Sequence, residues 1–190
     1  MRILKWLVTK LFHLLGWQVV GDMPPHLHKA VLIFAPHTSN WDAFYSLATV
    51  FIRKHQIRFA IKKEALFFPL GKLLKALGAI PIDRNKQRCP QGQRTSTVDT
   101  FVQLFAENDQ LILAISPEGT RKYAQRWRNG FYHTAMQANV PIVLGYLDYA
   151  KKQTGFGPVF YPTGNMQQDI QQIQAFYKDK MGKYPEQGVR

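Results

Sequence analysis

His37 and Asp42 stand five residues apart in the stretch Pro36-His37-Thr38-Ser39-Asn40-Trp41-Asp42, between two apolar runs. A turn accounts for the proline, serine and asparagine. It does not account for an imidazole and a carboxylate. Residues at this spacing do not share a face of a regular helix. They meet if the chain turns at Thr38–Asn40 and Asp42 enters the first turn of the following helix. The carboxylate then holds one ring nitrogen of His37, fixes its tautomer and stabilises the imidazolium, leaving the other nitrogen as a base. Such a base is worth typically 10²–10⁴-fold in rate. The spacing alone also arises in structural turns. A metal site fits less well, because no third or fourth ligand is evident nearby and the chain has a single cysteine, Cys89. Ser39 is too close along the chain to aim at the ring as a nucleophile, and Cys89 has no orienting group beside it. A base without a protein nucleophile suits direct attack by a substrate hydroxyl on an activated electrophile.

Two further clusters carry chemistry. Arg84 closes Gly78-Ala79-Ile80-Pro81-Ile82-Asp83-Arg84, where a planar guanidinium can clamp a phosphate. In Pro117-Glu118-Gly119-Thr120-Arg121, Gly119 lets the backbone approach a ligand, and Thr120 and Arg121 can donate to phosphate oxygens. Taken singly, Arg84 reads equally as a surface arginine and Glu118 as its ion-pair partner.

The elements that must position these residues follow from pattern. Ala30–Ala35 is a continuous apolar run, read as a buried strand. Asp42 to Lys54 has helical spacing, and Ile57–Ile61 reads as a strand. A short helix begins near Pro69 and stops at Gly78; Ala79–Ile82 is the next strand. Asp83–Arg94 is a polar, basic loop. A helix capped by Thr95 or Ser96 runs to about Asn108, and Leu111–Ile115 is another buried strand. A basic loop over 119–129, a helix over 131–138 and a strand over 140–146 follow. Tyr149–Thr154 and Pro158–Tyr161 are weaker strands, and Met166–Lys180 is a Gln-rich helix. Alternation of strands and helices predicts a single α/β domain: a mostly parallel central sheet flanked by helices, with an N-terminal amphipathic helix. In such sheets ligands gather at the carboxyl ends of strands, which is where all three clusters fall.

The chain has 190 residues, 46% of them hydrophobic, enough for one domain with a core. Lys and Arg number 25 against 12 Asp and Glu, a net charge of +13. Such a surface attracts anions: nucleic acid, an anionic membrane face or phosphorylated ligands. Each basic residue near an anionic leaflet is worth about 1 kcal/mol. Residues 1–17 are too interrupted by Lys5, Lys10 and His13 to span a membrane, and they lack the pattern of a signal peptide. Ile3, Leu4, Leu7, Val8, Leu11, Leu14 and Leu15 fall on one side of a helix, with Arg2, Lys5, Thr9 and His13 on the other. Trp6 and Trp17 suit a water–lipid boundary. The expected division is therefore a membrane-surface helix over 1–20 and a catalytic domain over 21–190. Packing of that helix on the protein's own core is the alternative.

Taken together, His37-Thr38-Ser39-Asn40-Trp41-Asp42, Gly78-Ala79-Ile80-Pro81-Ile82-Asp83-Arg84, Pro117-Glu118-Gly119-Thr120-Arg121 and Val140-Pro141-Ile142-Val143-Leu144 resemble, in order, the four blocks of the glycerolipid acyltransferase family, which includes lysophosphatidic acid acyltransferases. Arg128-Asn129-Gly130 resembles the basic-x-Gly after the third block. The resemblance covers about residues 30–146. It implies transfer of a fatty acyl group from acyl-CoA or acyl-carrier protein to a hydroxyl of a glycerol-phosphate or lysophospholipid acceptor. By the same resemblance His37 is the base and Asp42 its orienter, and Arg84, Glu118, Gly119, Thr120 and Arg121 hold the acceptor phosphate. No cofactor, metal or covalent intermediate is implied; the thioester is a co-substrate. The expected place is peripheral, on the anionic cytoplasmic face of the cell membrane. Pro36 and Ser116 depart from the family's usual residues and leave the acceptor lipid open. The competing class is a basic membrane- or nucleic-acid-binding protein without catalysis. Arg126-Trp127-Arg128 favours it, but no nucleic-acid-binding module is present, so no nucleic-acid partner is expected.

Overall fold

The structure is a computed structural model and describes residues 2–65, 70–82 and 96–189. The described chain runs α1 (Arg2–Leu14), β1 (Gln18–Val20), β2 (Lys29–Ala35), α2 (Asn40–Arg53), β3 (Ile57–Lys62), α3 (Leu70–Ala76), β4 (Ala79–Ile82), α4 (Thr97–Glu107), β5 (Leu111–Ile115), α5 (Gly130–Gln137), β6 (Ile142–Asp148), β7 (Gln153–Phe160) and α6 (Met166–Tyr177). Among the described residues, seven strands form one sheet in the order β1-β7-β6-β2-β5-β3-β4. Every pairing is parallel except β6 with β7. The α/β domain expected from the sequence is the architecture observed.

β2 lies in the middle, between β5 and β6. Its alternate residues feed two cores, as the pleat requires. Val31, Ile33 and Ala35 pack with Leu113, Ile142 and Leu144 under Phe101 and Phe105 of α4, Phe131 of α5 and Ile173 of α6. Ala30 and Leu32 face the opposite side with Ile112, Val143 and Val50 of α2. Burial on both faces explains why β2 reads as an unbroken apolar run. Because β2, β5 and β6 are mutually parallel, the loops leaving them emerge at one edge.

Three local readings differ from the structure. The stretch 149–152 is a turn, not the start of a strand. Asp148 Oδ1 accepts the Ala150 and Lys151 N–H groups at 3.1 and 3.3 Å, and Lys152 has φ +47°. That turn reverses the chain, so the two weak strands become one, β7, antiparallel to β6. β1, three residues long, gave no periodic signal, yet it pairs with β7. The boundary expected at residue 20 therefore falls at the end of a strand of the common sheet. Trp17, expected at a lipid boundary, is buried and stacks on Tyr45 with ring centroids 4.0 Å apart.

α1 is in place but serves two surroundings. Phe12 is buried with Trp17, Ala48 and Leu147, and Val8 packs against that cluster. Trp6, Leu7, Leu11, Leu14 and Leu15 remain exposed, Leu14 by 85%. No helix among the described residues is long and apolar enough to cross a membrane.

Candidate active site

The first seam is built by a capping box. Ser39 is the N-cap of α2 in extended conformation, and its Oγ accepts the Trp41 N–H at 3.1 Å. Asp42, at the third helical position, accepts in return from Ser39 N–H at 2.7 Å and from Thr38 N–H at 2.6 Å, both on Oδ2. This is a local S-x-x-D signature of a helix start. It folds the carboxylate back over the loop, where His37 Nδ1 lies 3.3 Å from Oδ2. The turn at 38–40 thus brings imidazole and carboxylate together, as the spacing allowed. Tyr149 completes the set by donating its hydroxyl to Asp42 Oδ1 at 2.6 Å.

Asp42 is buried. Burial alone pushes its carboxyl upward, but the hydrogen bonds from His37, Tyr149, Ser39 and Thr38 outweigh that and hold it below the ordinary carboxylate value. The charged form is what an imidazolium needs beside it. The side chain of His37 keeps a quarter of its surface exposed.

His37 and Asp42 border a cavity of about 150 Å³. Its walls are largely apolar: Phe34 of β2, Ala43 and Leu47 of α2, Ile57 and Phe59 of β3, Ile115 of β5. Ser116 also lines it, and its Oγ is buried with no hydrogen-bond partner among the described residues. Leu74 of α3 and Leu77 do not line it.

The third seam reaches the first through Glu118. Its Oε2 accepts the backbone N–H of His37 at 2.8 Å, although 81 residues separate them. The side chain is only 6% exposed. Burial pushes its carboxyl up to about 8; the His37 N–H pulls the other way, and the nearby charge of Asp42 adds to the rise. Gly119 has φ +65°, the left-handed region that favours glycine, and a Cβ there would lie 2.6 Å from Cδ of Arg128. Arg128 is tied to the same corner by its N–H to Pro117 O at 2.8 Å. Thr120 and Arg121 are exposed beyond it, and Thr120 Oγ1 accepts the Lys122 N–H.

The structure thus brings His37, Asp42 and Glu118 into direct contact, with Gly119, Thr120 and Arg121 continuing from the same loop. Arg84 lies outside the described residues; β4 ends two residues before it, at Ile82, but one residue short of Asp83. Among the described residues no group of three or more His, Cys, Asp or Glu is arranged to hold a metal. Two features were missed from the sequence. Tyr149 carries no local signal, being a lone aromatic in a turn. The tail also packs on the first seam: Tyr184 N–H donates to Thr38 Oγ1 at 3.3 Å, and Lys183 Nζ sits 5.2 Å from the Trp41 ring centroid.

Comparison with known proteins bears on the family and the fold. Residues 18–144 match the family model described as Acyltransferase. The 1-acyl-sn-glycerol-3-phosphate acyltransferases of Limnanthes douglasii and Limnanthes alba are each 30% identical over 122 residues, 62% of this chain and 41% of theirs. The matched chain therefore spans about two fifths of the length of these relatives. The crystal structure of the 1-acyl-sn-glycerophosphate (LPA) acyltransferase PlsC from Thermotoga maritima superposes with a TM-score of 0.61 over 92% of this chain and 75% of its own. At 13% identity that likeness shows the fold. With the family model covering two thirds of its length, the chain belongs to the acyltransferase family.

Proposed function

We propose that the protein transfers a fatty acyl group from an acyl thioester, acyl-CoA or acyl-carrier protein, to the free hydroxyl of a lysophosphatidate-type acceptor. The observation that carries this is the His37–Asp42 pair on the wall of an apolar cavity, joined through Glu118 to a loop that ends in Thr120 and Arg121. An apolar cavity suits an acyl chain, and a basic, hydroxyl-bearing loop suits a phosphate.

In the proposed mechanism, the free ring nitrogen of His37 takes the proton of the acceptor hydroxyl as that oxygen attacks the thioester carbonyl. The tetrahedral adduct collapses, the C–S bond breaks, and the imidazolium returns the proton to the departing sulfur. Asp42 stabilises the imidazolium and fixes the ring. Glu118 acts through the His37 backbone, while Gly119, Thr120 and Arg121, with Arg84, take the acceptor phosphate. The chemistry needs only positioning and a base, since the thioester is already activated.

The same proposal places the protein on an anionic membrane surface. Exposed Leu7, Leu11 and Leu14 of α1 and Leu15 just after it form an apolar strip, with exposed Trp6 beside it and Lys10 Nζ 5.9 Å from the Trp6 ring. Trp41 and Phe44 of α2 are exposed as well, and both contact Tyr45, which packs against Phe12 of α1. One ring, Tyr45, thus joins α1 to the first turns of α2. The test is acyl transfer from acyl-CoA and acyl-carrier protein to a panel of lysolipids, followed by mass spectrometry. His37→Ala is expected to lower kcat by 10²–10⁴-fold without unfolding the protein. Equal turnover by this variant removes His37 from the mechanism.

A further inference from the structure

We infer that Tyr149 is a positioning residue for the His37–Asp42 pair, supplied from outside the family-matched segment. The inference rests on the acyltransferase reading of the site. Its geometric basis is separate.

Asp42 has two oxygens with different duties. Oδ2 takes the Thr38 and Ser39 N–H groups and faces His37 Nδ1. Oδ1 takes the Tyr149 hydroxyl at 2.6 Å, a short bond of the charge-assisted kind. The loop bonds alone fix one oxygen and leave the carboxylate plane to swing about its own bond. A donor on the second oxygen fixes that plane, and with it the direction of the oxygen that His37 meets. In a buried site the same donor also spares Oδ1 from being left without a partner.

Tyr149 is itself held rigidly. Its ring meets Trp17 edge-on at 4.9 Å and Tyr45 edge-on at 5.8 Å, while Trp17 stacks on Tyr45. Its N–H donates to Met181 O at 2.8 Å, which ties it to the tail that also bonds Thr38. Tyr149 follows β6 at the edge where β2 releases His37, so the parallel pairing of these strands sets the distance. Residue 149 lies beyond the segment 18–144. The segment before it and the tail after it therefore add a support to a catalytic pair that the matched segment contains. Burial and the bond to Asp42 push the Tyr149 hydroxyl above its ordinary range, so it remains a donor at every working pH.

The titratable groups facing Asp42 are His37 from its own loop, Tyr149 from the turn after β6, and Glu118 from the loop after β5. Tyr45 of α2 and Tyr184 of the tail face Tyr149. The test is Tyr149→Phe in the full chain, which keeps the ring and removes only the hydroxyl. Tyr45→Phe, which removes a hydroxyl from the same aromatic group without touching Asp42, is the control. kcat and KM are measured with acyl-CoA and lysophosphatidate, and the Asp42 carboxyl is titrated by carbon-13 NMR. Tyr149→Phe is expected to lower kcat about tenfold with KM within about twofold, and to move the Asp42 titration to higher pH. Tyr45→Phe is expected to do neither. An unchanged kcat together with an unchanged Asp42 titration overturns the inference. A moved titration in a protein whose wild type transfers no acyl group upholds the contact and overturns the function instead. A fall in activity that tracks a loss of folded protein, with the titration unmoved, also overturns it.

Discussion

Replacing Glu118 with Gln isolates the energetic consequence of burying a carboxyl against the His37 loop. Desolvation raises its pKa, the His37 N–H opposes the rise, and Asp42 adds to it; the result is a value pushed from 4.5 to about 8. The folded protein therefore binds this proton more tightly than the unfolded chain. The stability it contributes is complete below the unfolded value near 4.5 and is lost as pH rises to about 8. Each tenfold difference in proton affinity is worth about 1.4 kcal/mol. The loss thus amounts to roughly 5 kcal/mol when Glu118 is fully ionised, about 4 of it between pH 5 and pH 9. Glutamine keeps the side-chain length and an oxygen for the His37 N–H but cannot ionise. Urea unfolding of wild type and Glu118→Gln across that range gives the difference directly, because other titrating groups cancel. The variant is expected to gain on the wild type steadily as pH rises. A difference that stays level from about pH 5 to pH 9 refutes the argument that this carboxyl is desolvated in the folded state.

Two other outcomes follow from exposed and cavity-lining side chains. Trp6→Glu with Leu14→Glu removes two exposed apolar groups, each worth about 1.5–3 kcal/mol when buried. Flotation with vesicles of anionic lipid is expected to show binding weakened by more than about tenfold, with the thermal midpoint unchanged. Ser46→Phe puts a ring into the wall of the cavity beside His37, whose volume is about 150 Å³. A competition among acyl-CoA lengths is expected to shift toward shorter chains, by about fourfold in kcat/KM for each methylene excluded. An unaltered length preference separates this cavity from the acyl chain.

What could be read along the chain was what the chain settles locally. The apolar run of β2 is legible because burial on both faces leaves no polar position in it after Lys29. The start of α2 is legible because Ser39 and Asp42 cap a helix through bonds that span three residues. That capping also delivers Asp42 to His37, so the pair was accessible from its spacing. The amphipathic pattern of α1 was legible too. Its division into a face that anchors on Tyr45 and a face left open was not, since Phe12 and Trp17 find their partners only after β6 and α2 are in place.

The sequence by itself determined the kinds of group available and the local turns that aim them: an imidazole, a carboxylate three residues into a helix, and a glycine corner before two donors. The tertiary structure alone decided which groups distant along the chain meet that pair. Glu118 reaches His37 across 81 residues and Tyr149 reaches Asp42 across 107. Neither distance along the chain carries a pattern. Parallel pairing of β2 with β5 and β6 sets all three loops at one edge, and burial there makes each polar group take the partner within reach.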